Sequence, residues 1–535
     1  MWNDRPQGGG TVIDSGLRDL IGQVLVCGFA KDMLDDHARR LIEEHHVGNI
    51  ILFSRNIHHV EQVQKLTADL QDLARANGQT HPLLICTDQE NGLVRRLSPD
   101  VPGLPGNMAV GASHDPALSY QIGIMTGKLL AACGINMNLA PVLDINNNPE
   151  NPVIGVRSYG DNPQEVSRLG TRMIQGLQET GVIACAKHFP GHGDTQVDSH
   201  LDLPIIRHSF ERMQRTELVP FEAAIDSGVR AVMTAHIVFE QLDPERPATI
   251  SPTVLTGLLR ERLGFEGMIT TDCLEMNAIA NGVGVGRGAV MALLAGADMV
   301  MISHRLDRQE EAILAIAQAV HSHELPVARL EEAVSRIAQL KATVSSSASS
   351  LDMPDDLRAA AYDLQRQSAR ACLTPLVDQE PHWPYPRRVA VVIDPYKPHM
   401  VAAGLDPLDR TVQTVREVLP GAVVEGVAYD HIAQELRLHE ADWLLFVTAG
   451  QKVDPDMIDQ LRRHGHSAVL LVHTPYKWPM FSPAKRVYAL YENTPWMIQA
   501  AVRALAFQES GQGHLPVMVE AISDDVTPKE LGSDD

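Results

Sequence analysis

The 535-residue sequence is short of positive charge: 45 lysines and arginines stand against 67 aspartates and glutamates, a formal net charge of −22. A nucleic-acid backbone or an anionic membrane would on average be repelled, so neither is expected as a partner. No uninterrupted apolar run approaches the roughly 18 residues a membrane-spanning helix needs. The start, MWNDRPQGGGTVIDSG, has no basic segment leading into an apolar stretch, so a cytoplasmic location is the expectation. Six cysteines form no CxxC pair, and several sit in apolar runs where a thiol acts as a small hydrophobe; neither disulfides nor a zinc knuckle is indicated.

What is present is ordinary globular material, 44% apolar and 21% charged, in a chain longer than one hydrophobic core usually supports. Eight short apolar runs begin at Gln23, Asn49, Leu83, Met137, Val182, Ala231, Gly267 and Asp298. Amphipathic segments such as HVEQVQKLTADLQDLARA from His59 and PQEVSRLGTRMIQGLQET from Pro163 separate them. Repeated strand–helix units of this kind fit an α/β fold, an N-terminal (β/α)8 TIM barrel over 1–345. The alternative, a doubly wound open sheet, would usually show a glycine-rich phosphate turn after its first strand, and none is there. A small, polar stretch suggests a connector over 346–386, and strand–helix alternation resumes over 387–520 as a smaller three-layer α/β domain. The acidic end, 521–535, reads as a disordered tail.

A barrel carries its chemistry on the loops after the strand C-termini. Asp88 to Glu90, Asp144, Lys187 with His188, His236 and Asp272 all fall at such ends. The densest stretch is KHFPGHGDTQVDSH, Lys187 to His200. His188, His192, Asp194, Asp198 and His200 are all metal-ligand types, but the comparable barrel metalloenzymes carry HxH at the end of the first strand, where this chain reads VLVCGFA. No metal and no cofactor is therefore expected. Asp198 and His200, by contrast, form an Asp-x-His pair in which a carboxylate can fix one imidazole tautomer and suit the ring to proton transfer near neutral pH.

Four segments carry a family resemblance: TDQENGLVRRL from Thr87, NPENPVIGVRSYG over Asn148 to Gly160, KHFPGHGDTQVDSHLDLP from Lys187, and ITTDCLEM from Ile269. In order and spacing they resemble the family 3 glycoside hydrolases, in the β-N-acetylglucosaminidase branch marked by the Asp-x-His loop. The resemblance implies Asp272 as nucleophile, His200 as acid/base with Asp198 supporting it, and Asp88, Arg96, Arg157, Lys187 and His188 as sugar-binding residues. The family's usual DQEGGRV reads DQENGLV here, with Asn91 and Leu93 as local departures.

The implied reaction is removal of terminal non-reducing β-linked N-acetylglucosamine with retention, from cell-wall muropeptides in a recycling role or from chitin oligomers. The two acids of TDCLE are three apart, and no Asp-Glu pair ends another strand, which favours a direct aspartate nucleophile over assistance by the substrate's acetamido group. Phosphorolysis of the same bond and a non-catalytic sugar-binding protein are the alternatives. The second domain, with its GHLPV, resembles the family's C-terminal module and is expected to be supportive, acting in oligomerisation or substrate gating.

Overall fold

The computed structural model describes residues 14–196, 203–344, 353–378, 383–394, 407–429, 438, 440–450 and 453–519. Eight parallel strands close into a barrel: β1 (Leu25–Cys27), β2 (Asn49–Ile51), β3 (Leu84–Thr87), β4 (Met137–Asn138), β5 (Ile183–Phe189), β7 (Ala231–Thr234), β9 (Met268–Cys273) and β10 (Met299–Ile302). Strand β10 returns to β1, with Leu25 opposite Val300. Every residue of β5 is buried, because helices cover the outside of the barrel while layered side chains fill the inside. A separate parallel pair, β6 (Ile205–Ile206) with β8 (Val238–Phe239), links the loops that follow β5 and β7.

The amphipathic segments form the expected helices. Val60–Ala76 is capped by His59, whose ring accepts from the Gln62 N–H. Asn162 caps Pro163–Glu179 by accepting from the Gln164 and Glu165 N–H groups, and Pro163 fills a first-turn position that needs no amide hydrogen. That helix buries Val166, Leu169, Met173, Ile174 and Leu177, each contributing about 1.5–3 kcal/mol. A charge at Leu169 would break the contact.

The second sheet runs β11 (Thr374–Asp378), β16 (Arg486–Ala489), β15 (Ser467–Leu471), β14 (Trp443–Thr448), β12 (Arg388–Ile393), β13 (Val423–Ala428), parallel except for the antiparallel edge β11. Within the stretch read as a connector, Asp355–Cys372 is helical and β11 joins this sheet, so these residues build structure as well as cross between domains. The segment read as a tail, 521–535, lies outside the described residues. All six cysteines are free thiols. No helix among the described residues is long and apolar enough to cross a membrane.

The second domain is bonded to the barrel. Tyr476 accepts from Asn146 Nδ2 at 2.7 Å, and Glu492 accepts from the Gly106 N–H at 2.8 Å. The GHLPV segment lies on the barrel as well: the His514 N–H donates to Ala112 O, and Pro516 O accepts from the Asp161 N–H.

Candidate active site

A cavity of about 300 Å³ opens at the C-terminal mouth of the barrel, within the size range of small-ligand sites. Asp88, Arg96, Arg157, Lys187, His188 and Asp272 all line it. Six of the eight residues singled out from sequence therefore meet in one place. The other two, Asp198 and His200, lie outside the described residues.

Lys187, almost fully buried, donates to Asp88 Oδ1 at 2.8 Å and pairs with Glu90 Oε1 at 2.7 Å. Arg157 holds the same Glu90 through Nε and Nη2, both at 2.8 Å, and its Nη1 donates to Val153 O. Much of the donor capacity expected to face a sugar is thus spent on Glu90. Burial alone would raise the Glu90 carboxyl, but the Arg157 guanidinium and the Lys187 ammonium outweigh it and hold the group well below the usual carboxylate range. Burial would likewise strip Lys187 of its proton, yet Asp88 and Glu90 raise its pKa. Glu90 therefore stays ionised between the Lys187 and Arg157 cations. Arg96 differs, for its buried Nε has no hydrogen-bond partner among the described residues. The residue lines the cavity wall, where a guanidinium can donate to a ligand.

Behind the cavity wall Asp144 organises the start of the histidine loop. Its Oδ2 accepts from His188 Nδ1 at 2.6 Å, and its Oδ1 accepts from the backbone N–H groups of His188 and His192, at 3.2 and 2.7 Å. Burial raises the Asp144 pKa, but the charge and hydrogen bond of His188 outweigh it and the net shift is downward. With an ionised acceptor on Nδ1, the proton sits on Nδ1 and leaves Nε2 as the nitrogen for a ligand. His192 pairs with Thr195 Oγ at 2.9 Å. Burial pushes its pKa down to about 4, so it is neutral under ordinary conditions. Asp194 accepts from His208 Nε2 at 2.5 Å.

The loop after β4 holds the same stem from the other side. Asn151 Nδ2 donates to the carbonyls of His192 and Gly193, at 3.0 and 2.8 Å, while its Oδ1 accepts from the Val153 and Ile154 N–H groups. Asn148 Nδ2 donates to Thr195 O. Gly193 is obligatory: a β-carbon there would sit 1.6 Å from Ile145 O.

Asp272, at the end of β9, accepts from the Cys273 N–H at 2.7 Å. The next helix starts only at Asn277 with Met276 as its cap residue, so Asp272 does not cap it. His236, buried behind this strand end, donates from Nε2 to Cys273 O at 2.9 Å and bonds Thr249 Oγ through Nδ1. The departure at Asn91 is absorbed locally. Its φ of 72° is the left-handed region that asparagine tolerates, and its side chain bonds Gln89 and Thr126.

Sequence reasoning placed Glu90, Asp144 and His236 at strand ends without giving them roles, and gave none to Asn151. The signal for Glu90 was its two-residue spacing from Asp88. The roles of Asp144 and Asn151 could not be read, because the bonds that hold the histidine-loop stem reach partners more than forty residues away along the chain.

Comparison with known proteins gives a consistent result. The glycosyl hydrolase family 3 N-terminal domain matches residues 16–340. Beta-hexosaminidase A of Pseudoalteromonas piscicida is 35% identical over 347 residues, 61% of this chain and 58% of that relative, so this chain spans somewhat over half of it. A beta-hexosaminidase of Nitrosomonas eutropha is 36% identical over 55% of this chain and 85% of its own length. The solved structure of a glycoside hydrolase family 3 beta-N-acetylglucosaminidase from Paenibacillus sp. is 38% identical, with a TM-score of 0.85 over 95% of this chain and 99% of that one. With the barrel, the strand-end residues and these matches in agreement, the chain belongs to glycosyl hydrolase family 3.

Proposed function

We propose that the chain is a glycoside hydrolase of the β-N-acetylhexosaminidase type, removing terminal non-reducing N-acetylglucosamine with retention of configuration. The observation that carries this reading is the sharing of one cavity by Asp272, Arg96 and the Asp88–Lys187–Glu90–Arg157 array. Asp88 presents a carboxylate oxygen for sugar hydroxyls, while Arg96, Lys187 and His188 Nε2 supply the complementary contacts. Asp272 attacks the anomeric carbon, the bond to the leaving oxygen breaks, and a glycosyl-enzyme forms. His200, supported by Asp198, gives its proton to the departing oxygen and later takes one from the attacking water. Help of that kind is worth roughly 10²- to 10⁴-fold. The natural glycoside is a cell-wall muropeptide or a chitin oligomer, and the setting is cytoplasmic.

The roles are tested on a glycoside with an activated aryl leaving group. Asp272→Ala should lose about 10³-fold or more in kcat/KM, whereas His200→Ala should lose about 10- to 100-fold, because a good leaving group needs little protonation. Equal losses would overturn the assignment. Free sugar should remain the product in phosphate buffer; sugar 1-phosphate forming faster would make the enzyme a phosphorylase. Comparing kcat/KM on muropeptides and chitin oligomers identifies the aglycone.

A further inference from the structure

Cys273, Glu275 and His304 line the β9–β10 side of the cavity, and the glycosidase reading gives them no task. A thiol sulfur, a carboxylate oxygen and a ring nitrogen from these three lie within 4.8 Å of one another, the only such grouping of three among the described residues. We propose that they form an inhibitory site for a borderline-soft divalent cation of the zinc class, bound beside the residue that attacks the sugar.

Thiolate, imidazole and carboxylate are the donors zinc takes, whereas magnesium and calcium prefer oxygen alone. Bond lengths of about 2.0–2.3 Å put tetrahedral donors about 3.3–3.8 Å apart, so side-chain rotation by about an ångström closes the site. Two of the donors are already held together: Glu275 accepts from the His304 and Arg305 N–H groups, at 2.7 and 3.2 Å, which ties the loop after β9 to the loop after β10. The Cys273 sulfur is 3.8 Å from Glu275 Oε2, and the His304 ring packs on Phe53 at 5.0 Å. The opposing charges nearby are Arg55, whose guanidinium is engaged by Phe29 O and Ser303 O, and Arg305, which pairs with Asp307.

On binding, the Cys273 S–H bond breaks, its proton passes to solvent and a metal–sulfur bond forms, with no change of oxidation state. Zinc brings two positive charges and displaces one proton, so the site gains one net positive charge in the cavity that Asp272 also lines, which blunts attack by that carboxylate while the ion fills part of the cavity. Metal is thus an inhibitor here, and chelation releases activity.

The full chain is titrated with zinc chloride by calorimetry in a non-chelating buffer and assayed on a chromogenic N-acetylglucosaminide. One equivalent should bind, turnover should fall tenfold or more at saturation and recover with chelator, and magnesium should do nothing. Cys273→Ser, Cys273→Ala and His304→Ala should each weaken binding and raise the inhibitory concentration tenfold or more, measured against each variant's own metal-free rate. The Asp272→Ala protein should still bind one equivalent, so the site is tested whether or not the glycosidase assignment holds. Absence of binding to the folded wild-type chain, unchanged affinity in all three variants, or anomalous diffraction placing the zinc elsewhere would overturn the proposal.

Discussion

Asp144 shows how one buried side chain serves the site without touching a ligand. Its two oxygens accept three N–H groups from the start of the histidine loop, and an ionised group in that position is what settles the His188 tautomer. Asp144→Asn keeps the size but replaces a charged acceptor with an amide whose NH2 end cannot accept. We expect kcat/KM to fall about 10- to 100-fold, equivalent to about 1.4–2.7 kcal/mol; steady-state kinetics with a thermal melt as control checks it. Glu90 is a harsher case. Truncation to Ala would leave Lys187 and Arg157 buried with too little negative charge, and a loss of about 3–5 kcal/mol in a denaturant titration is expected.

At the level of elements, the stem of the histidine loop is the part to perturb. Asn151 makes its bonds inside the protein, so Asn151→Ala strands several polar groups at about 1–3 kcal/mol apiece. On the proposed mechanism the loop beyond delivers the proton. The variant should therefore lose more kcat on an alkyl glycoside than on an activated aryl glycoside, and a uniform loss on both would argue for a purely structural role. The barrel strands were legible because a parallel strand buried on both faces reads as an unbroken apolar run; all eight observed strands lie in the runs read from sequence. The pair β6–β8 was not legible, since β8 continues the apolar run that begins at Ala231 and the two residues of β6 carry no period. The bond from Arg157 to Glu90 was hidden for another reason: IGVRSYG signals a barrel-rim arginine, but whether its donors meet a sugar or a carboxylate depends on how separate loops meet in space.

For the molecule as a whole, Glu492 is a titratable link between the domains. Its carboxylate takes hydrogen bonds from Gly106 N–H, Thr494 Oγ and Trp496 Nε1. Burial pushes its pKa up to about 7, only partly countered by these bonds and by the Arg95 guanidinium. A raised folded-state value means that the folded chain holds the proton more tightly than the unfolded chain does. The resulting stabilisation is full below the unfolded value of about 4.5 and is lost as pH rises through about 7. The wild-type chain should lose about 3 kcal/mol across that window relative to Glu492→Gln, as read from denaturation midpoints at about pH 5 and pH 8. An identical pH dependence in both proteins would refute it. The second domain also reaches the loop after β4 through Tyr476 and Asn146, and that loop in turn holds the His192–Thr195 stem. Downstream, the Val238 N–H donates to Pro204 O and the Glu240 N–H to Ile206 O, so the stem at His192–Thr195 and the strand β6 are each moored to the scaffold. A chimaera spliced at these two points would join foreign sequence to stretches that are already fastened, which makes Thr195 and Pro204 natural seams for exchange.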